Sequence, residues 1–415
     1  MKPRPNQIID FYQDWGSARN YSTGLPTYTP HTISIPWHLN HSPNSMPSIE
    51  YNAHPPTFVL MALPLAWVDY PIAVLACNVL SFLALVATLM IIASELHLPL
   101  KLLPPTLALL PLCQPIYANF QLGQLTPLIG LLIALIWALE RSRWMEQSCL
   151  AGALVGIAAA IKLFPAYVAV YYLAQIRIRP LLAAVLVFLS LNSWAVLVLG
   201  IDTYYDYINV VLPYQSKFRS FGYNISIAGF WYKLFDSLGE RDLIIPLWHC
   251  PMIAQSGTLL SDLAITMAAI KISSQALTVT QRDFAFAAVV TAMLLVSPVT
   301  WDFSLPLLLV PLALLTQYSL KPHANWMLGP LTLILMAIWT PQILLTKLAL
   351  AGRSIVSVPW TFILGAPSLK FYAVLATFAL TLLASWIEKK PTTTSTTDEP
   401  QRQSELCQLN SANLA

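Results

Sequence analysis

Residues 71–94, "PIAVLACNVLSFLALVATLMIIAS", contain no charged side chain. About 20 such residues in a helix, rising ~1.5 Å each, span the ~30 Å hydrocarbon layer of a bilayer. Comparable runs recur along the 415 residues. The chain is 57% hydrophobic and 10% charged, with a mean hydropathy of +0.63. Soluble domains carry about 25% charged residues, so that class is excluded. A membrane β-barrel would alternate apolar and polar residues in short segments, and no such segments are visible. The expected fold is an all-α polytopic membrane protein.

Nine crossing helices are expected, near residues 70–93, 103–118, 124–140, 181–200, 257–273, 284–300, 303–319, 326–345 and 369–387. The run 55–68, "PPTFVLMALPLAWV", is too short to cross and reads as an interfacial or re-entrant helix. The 32 prolines imply broken helices, which a membrane tolerates where protein or a wet cavity surrounds them. The five cysteines show no paired spacing for a metal or a disulfide framework. A net charge of +3 gives no argument for nucleic acid.

Basic loops mark the cytoplasmic side of a membrane protein. Two of them, "ERSRW" and "QIRIR", flank one apolar stretch, 149–174. A single straight helix would put them on opposite sides. The stretch contains "IKLFP" near its centre. Two half-helices of about 12 residues, each about 18 Å long, would enter and return on one side. Lys162 would then sit at the apex, deep in the membrane. On this reading residues 1–54 form an extracytoplasmic loop. Residues 55–390 form the helical bundle, with outer loops 201–256 and 346–368. Residues 391–415 form a disordered cytoplasmic tail. Long loops concentrate function, and here they lie outside.

Candidate site residues gather on that outer face. Asp10 and Asp14 would share one helix face at (i, i+4) spacing. A carboxylate among aromatic rings can have a raised pKa and act as a general base; two solvated acids are the alternative. His31, His38, His41 and His54 crowd the same segment without a zinc-protease pattern. His54 stands apart because it precedes rigid "PP". Lys162 is a candidate holder of a lipid phosphate, or a lysine that snorkels to water. Gln121 and Gln124 flank Gly123, a set that suits sugar hydroxyls or plain helix capping. Asn224 and Ser226 lie between aromatics and match a glycosylation sequon. Ser297, Trp301 and Asp302 lie between two helices; an interfacial tryptophan belt is the alternative for Trp301. Lys217, Arg219, Lys347 and Arg353 are outer-side cations able to hold phosphate.

Taken in order, "DFYQDWGSARNYSTGLPTY", "YNAHPPTFVLMALPLAWV", "FQLGQLTPL", "IKLFP", "YNISIAGFW" and "SPVTWDF" resemble glycosyltransferase family 87. The resemblance covers about residues 8–320. It implies a C-type membrane glycosyltransferase that moves a hexose, commonly mannose, from a polyprenyl-phosphate carrier. Transfer would be inverting, on the extracytoplasmic face of the cell membrane, and would use no metal or cofactor. The implied partners are the lipid-linked donor, a glycolipid or glycan acceptor, and the bilayer. The family's acid after the first helix matches Asp10, which would be the base. Members carry a membrane helix ahead of this motif, so a first helix is expected to be missing from this chain. Many relatives carry His or Tyr where Phe303 stands. A transporter or flippase of lipid-linked sugars is the competing reading, though no internal repeat is visible. A ligase of lipid-linked glycans and a non-catalytic scaffold are further alternatives.

Overall fold

The computed structural model describes residues 8–39, 50–141, 145–237, 244–341, 344, 358–359, 364–365 and 368–388. His41, Lys347, Arg353, the tail and most of loop 346–368 lie outside the described residues. The N-terminal segment holds α1 (Tyr12–Ser22) and α2 (His31–Leu39). Next, α3 (Pro56–Ala62) runs into the 3-10 turn Leu63–Trp67, which fits the short helix expected at 55–68.

The bundle begins with α4 (Tyr70–Glu95). The single helix expected at 103–118 is instead α5 (Leu103–Leu109), a 3-10 turn and α6 (Gln114–Leu122). Pro104, Pro105, Pro111 and Pro115 explain the interruption, because each lacks the N–H that a continuous helix needs. There follow α7 (Thr126–Arg141), α8 (Met145–Ile161), α9 (Ala169–Ala174) and α10 (Ile178–Leu199). A helical arm of α11 (Ile201–Asp206), a π-turn at Tyr207–Val211 and α12 (Leu212–Gln215) leads to α13 (Ile227–Phe235). The remaining helices are α14 (Pro251–Ser274), α15 (Val279–Val296), α16 (Leu309–Ser319), α17 (Leu328–Trp339) and α18 (Leu369–Ile387). Ile244–Ile245 and Val358–Pro359 form a two-residue parallel ladder.

Among the described residues, six segments are long and apolar enough to cross a membrane: α4, α10, α14, α15, Asp302–Ser319 and α18. Two more expected crossings are shorter helices. That at 124–140 is the 16-residue α7. That at 326–345 is a 3-10 turn, Pro322–Met327, leading into the 12-residue α17. The most enclosed helix is α15, whose residues Phe284–Leu295 are all buried. Helices α7, α9, α13, α14, α16 and α18 pack against it.

The chain returns on itself within 149–174. A Cβ on Gly152 would stand 2.0 Å from the Pro180 carbonyl oxygen, and one on Gly156 2.5 Å from that of Ala184. Both residue numbers rise together, so α8 and α10 lie in parallel contact, and the segment between them must run back. Pro165 cannot donate to the Ile161 carbonyl, which ends α8. Arg177, just past α9, pairs with Glu140 and donates to Ser148 Oγ at 2.7 Å. The two basic loops therefore meet at one end of the bundle, as the hairpin reading requires. Arg141 joins them, 3.5 Å from Glu95 and 3.6 Å from Asp283. Lys321 pairs with Glu388 at 3.3 Å.

Candidate active site

The site begins at Gly123, which closes α6 with φ +67°, in the left-handed region that glycine occupies without strain. A Cβ there would stand 2.7 Å from the Cβ of Phe11. The Phe11 N–H donates to the Leu122 carbonyl at 3.0 Å. The close approach that glycine permits is thus made by the N-terminal segment. It brings Asp10, in the turn ahead of α1, beside Gln124, in the turn ahead of α7. Gln124 Nε2 donates to Asp10 Oδ2 at 3.0 Å. Lys162 Nζ donates to Gln124 Oε1 at 3.5 Å.

Lys162 stands where α8 has unwound. The Thr57 hydroxyl donates to the freed Ala160 carbonyl, which ties α3 to the break. The ammonium lies 5.7 Å from the centre of the Phe303 ring. Asn119 Nδ2 fixes that loop by donating to the Phe303 carbonyl at 2.7 Å. Among the described residues Lys162 makes no ion pair within 4.0 Å.

Asp10, Gln124, Lys162 and Phe303 face a cavity of about 480 Å³ with His54, Arg219 and Trp301. Phe218 and Phe221 build an aromatic wall against Trp301, with ring centres 6.0 and 5.5 Å away. Leu163 and Leu212 line the same cavity and are 43% and 37% exposed, so its rim is apolar. The cavity lies at the end of the bundle away from the ion-paired basic loops. Burial pushes the Asp10 carboxyl above its ordinary range. The Gln124 bond and the charge of Lys162 oppose that shift, while Asp14 adds to it.

Asp10 and Asp14 do not share a helix face, because Asp10 precedes α1. Asp14 is 1% exposed, turns away from the cavity, and meets His54 Nδ1 at 2.6 Å. Four other candidate site residues also lie outside the cavity lining. Gln121 is exposed on α6. Asn224 is fully buried, which also hides its sequon. Its Oδ1 accepts the N–H groups of Ser226 and Thr300, and its Nδ2 donates to the carbonyls of Arg219 and Pro298. Ser226 caps α13 through the Gly229 N–H at 3.0 Å. Asp302 is paired with Lys370 Nζ at 2.5 Å. Asn224 thus knots together the two loops that carry Arg219 and Trp301. Sequence reasoning missed Gln13 and Gln215. They bond the Ala53 N–H and carbonyl at 2.9 and 2.6 Å and so hold the backbone beside His54. Gln13 lies between the two acids of the N-terminal motif; Gln215 carries no sequence signal.

Fold and site together define a polytopic membrane protein with a half-enclosed polar and aromatic cavity at one end of its bundle. Residues 52–298 match the model of Glycosyltransferase family 87, and the chain belongs to that family. It is 34% identical over 98 residues to a polyprenol-phosphate-mannose-dependent alpha-(1-2)-phosphatidylinositol pentamannoside mannosyltransferase of Mycobacterium tuberculosis. That match covers 24% of this chain and 21% of the relative. It is 26% identical over 376 residues to a polyprenol-phosphate-mannose-dependent alpha-(1-2)-phosphatidylinositol mannoside mannosyltransferase of the same species. There the match covers 85% of this chain and 75% of the relative. No solved structure gives a significant match.

Proposed function

We propose that the protein transfers a hexose, with mannose the first candidate, from a polyprenyl-phosphate carrier to a hydroxyl of a glycolipid or glycan. The observation that carries this reading is one carboxylate, Asp10, and two cations, Lys162 and Arg219, on the wall of one cavity. The acceptor hydroxyl is a poor nucleophile until a base takes its proton. Asp10 takes it as the oxygen attacks the anomeric carbon. The bond from that carbon to the phosphate oxygen breaks, and its electron pair leaves on the phosphate. Lys162 and Arg219 stabilise the growing negative charge, so the step as proposed uses no metal or cofactor. Attack opposite the leaving group inverts the anomeric centre. The apolar rim at Leu163 and Leu212 suits the prenyl chain. Arg141, Arg177 and Lys321 gather at the opposite end of the bundle, and the positive-inside rule read on that end supports a cavity that opens on the extracytoplasmic face of the cell membrane. The two mycobacterial relatives, by their names, use polyprenol-phosphate-mannose and phosphatidylinositol mannosides, and these are the substrates to try first.

The test uses the full chain in lipid nanodiscs with radiolabelled polyprenyl-phosphate mannose and a phosphatidylinositol mannoside. Label should move to the acceptor, in the anomeric configuration opposite to the donor's. Retention of configuration, or failure to transfer from this carrier to any glycolipid or glycan supplied, overturns the reading.

A further inference from the structure

We propose that His54 carries the proton onward from Asp10, and that Asp14 is the positioning residue that aims it; this inference rests on the transfer reading above. Three contacts fix the His54 backbone and ring. Its N–H donates to Asn52 Oδ1 at 2.9 Å, its carbonyl accepts the Tyr28 hydroxyl at 2.8 Å, and its ring stands edge-on to Phe58 with centres 5.5 Å apart. The ring lines the cavity with Asp10. Its Nδ1 is committed to Asp14 at 2.6 Å, whereas Nε2 has no protein partner among the described residues. A buried carboxylate on Nδ1 holds the N–H there and leaves the Nε2 lone pair free. Asp14 does not reach the cavity, so its effect on substrate passes through His54. The charged groups facing this imidazole are Asp14 from α1, Asp10 from the preceding turn, Lys162 from the break after α8 and Arg219 from the facing loop.

The proton balance is closed. The acceptor O–H bond breaks, and its electron pair forms the bond to the anomeric carbon. The proton rests on Asp10, passes across the cavity to His54 Nε2, and leaves the imidazolium for water. Asp14 stabilises that imidazolium. Asp10 is thereby an ionised base again before the next donor binds.

Full-length protein in nanodiscs is assayed with polyprenyl-phosphate mannose, and His54 is separately modified with diethyl pyrocarbonate and read by mass spectrometry. His54→Gln should lower kcat by about 10²-fold, the lower end of what proton transfer contributes, with KM for the donor unchanged. Asp14→Asn should do the same and displace the pH profile, because an amide can donate to Nδ1 and force the wrong tautomer. Imidazole should restore turnover to His54→Ala. In the modification arm, His54 should react in the wild type and more slowly in Asp14→Asn. Unchanged kcat in His54→Gln, or no rescue of a His54→Ala protein that still binds donor, overturns the proposal. Should His54→Ala not fold, His54→Gln and the modification arm decide. If the wild type transfers no mannose, the reading of the reaction fails by itself. The dyad is then judged by modification, and equal reactivity in the wild type and Asp14→Asn overturns it.

Discussion

The amide nitrogen of Gln124 stands 3.0 Å from Asp10 Oδ2, while the oxygen of the same amide faces Lys162 Nζ at 3.5 Å. One buried, neutral side chain thus separates an acid from a cation. A direct Asp10–Lys162 pair would take both the proposed base and the proposed phosphate holder out of service. Gln124→Glu keeps the shape and places a second carboxylate beside Asp10. A like charge disfavours ionisation, so the acid limb of the kcat profile should move up by about one pH unit. Turnover measured from pH 4 to 9 checks this, and a limb that stays in place would show that Gln124 does not govern Asp10.

Asp10 itself gives two pH dependences. Burial, with Asp14 adding, raises its carboxyl above the ordinary value of 3.8. In its proposed role as base Asp10 works only when ionised, so turnover should climb as pH rises through that raised value. Stability has the opposite sign. The folded chain holds this proton more tightly than the unfolded chain does, so between 3.8 and the raised value stability falls as pH rises. Asp10→Asn should lower kcat by about 10²–10⁴-fold with donor binding kept, and should flatten that part of the Tm-versus-pH curve. Full turnover in Asp10→Asn would remove Asp10 from the mechanism.

The helices were readable because a bilayer demands long uncharged runs. The hairpin was readable because the charge rule and the length of 149–174 conflict unless the chain returns. The interruption at 103–118 was not, although its prolines were in view, since apolar length looks the same in a continuous and a broken helix. Asp10 stood out as an acid among aromatics in the N-terminal loop, and His54, Gln124, Lys162 and Trp301 as polar or aromatic residues near expected helix ends; they meet at one cavity. The places of Asn224 and Asp302 were hidden, because residue type alone does not show which distant group will satisfy a side chain. Asn224 binds the loop at Pro298 and Thr300, and Asp302 is neutralised by Lys370 on α18. The (i, i+4) spacing sets Asp14 beside Asp10 on one helix face, whereas a histidine 40 positions along the chain claims it.

Lys162 has a neutral amide and an aromatic face as neighbours, so its charge is available to an anionic ligand. Lys162→Met should weaken binding of polyprenyl-phosphate mannose by roughly tenfold or more, the order of a lost charged hydrogen bond of about 1.5–3 kcal/mol. Lys162→Arg should keep part of the affinity, because a compact ammonium contact depends on charge before shape. Equilibrium binding of the donor to nanodisc-embedded variants measures both. Wild-type affinity in Lys162→Met would mean that the ammonium serves the protein rather than the phosphate.

The hairpin that delivers Lys162 depends on two glycines. In an exposed helix Gly→Ala is stabilising by about 1 kcal/mol through propensity alone. At Gly152 and Gly156 that gain should be overwhelmed, because the new Cβ would meet the backbone oxygens of Pro180 and Ala184 at 2.0 and 2.5 Å. Backbone cannot swing aside as a side-chain tip can, so α8 and α10 must separate. Small residues that let helices approach are a common basis of packing in membranes, where burial of apolar area supplies little drive. Gly152→Ala and Gly156→Ala should each lower the Tm in detergent, with Gly152→Ala the worse of the two. Each should also lower turnover, since the apex carrying Lys162 shifts with α8. As a control, Gly329→Ala on α17 adds its Cβ into open space and should leave Tm unchanged or raise it. A Tm in Gly152→Ala equal to that of the control would mean the two helices are not held at this register.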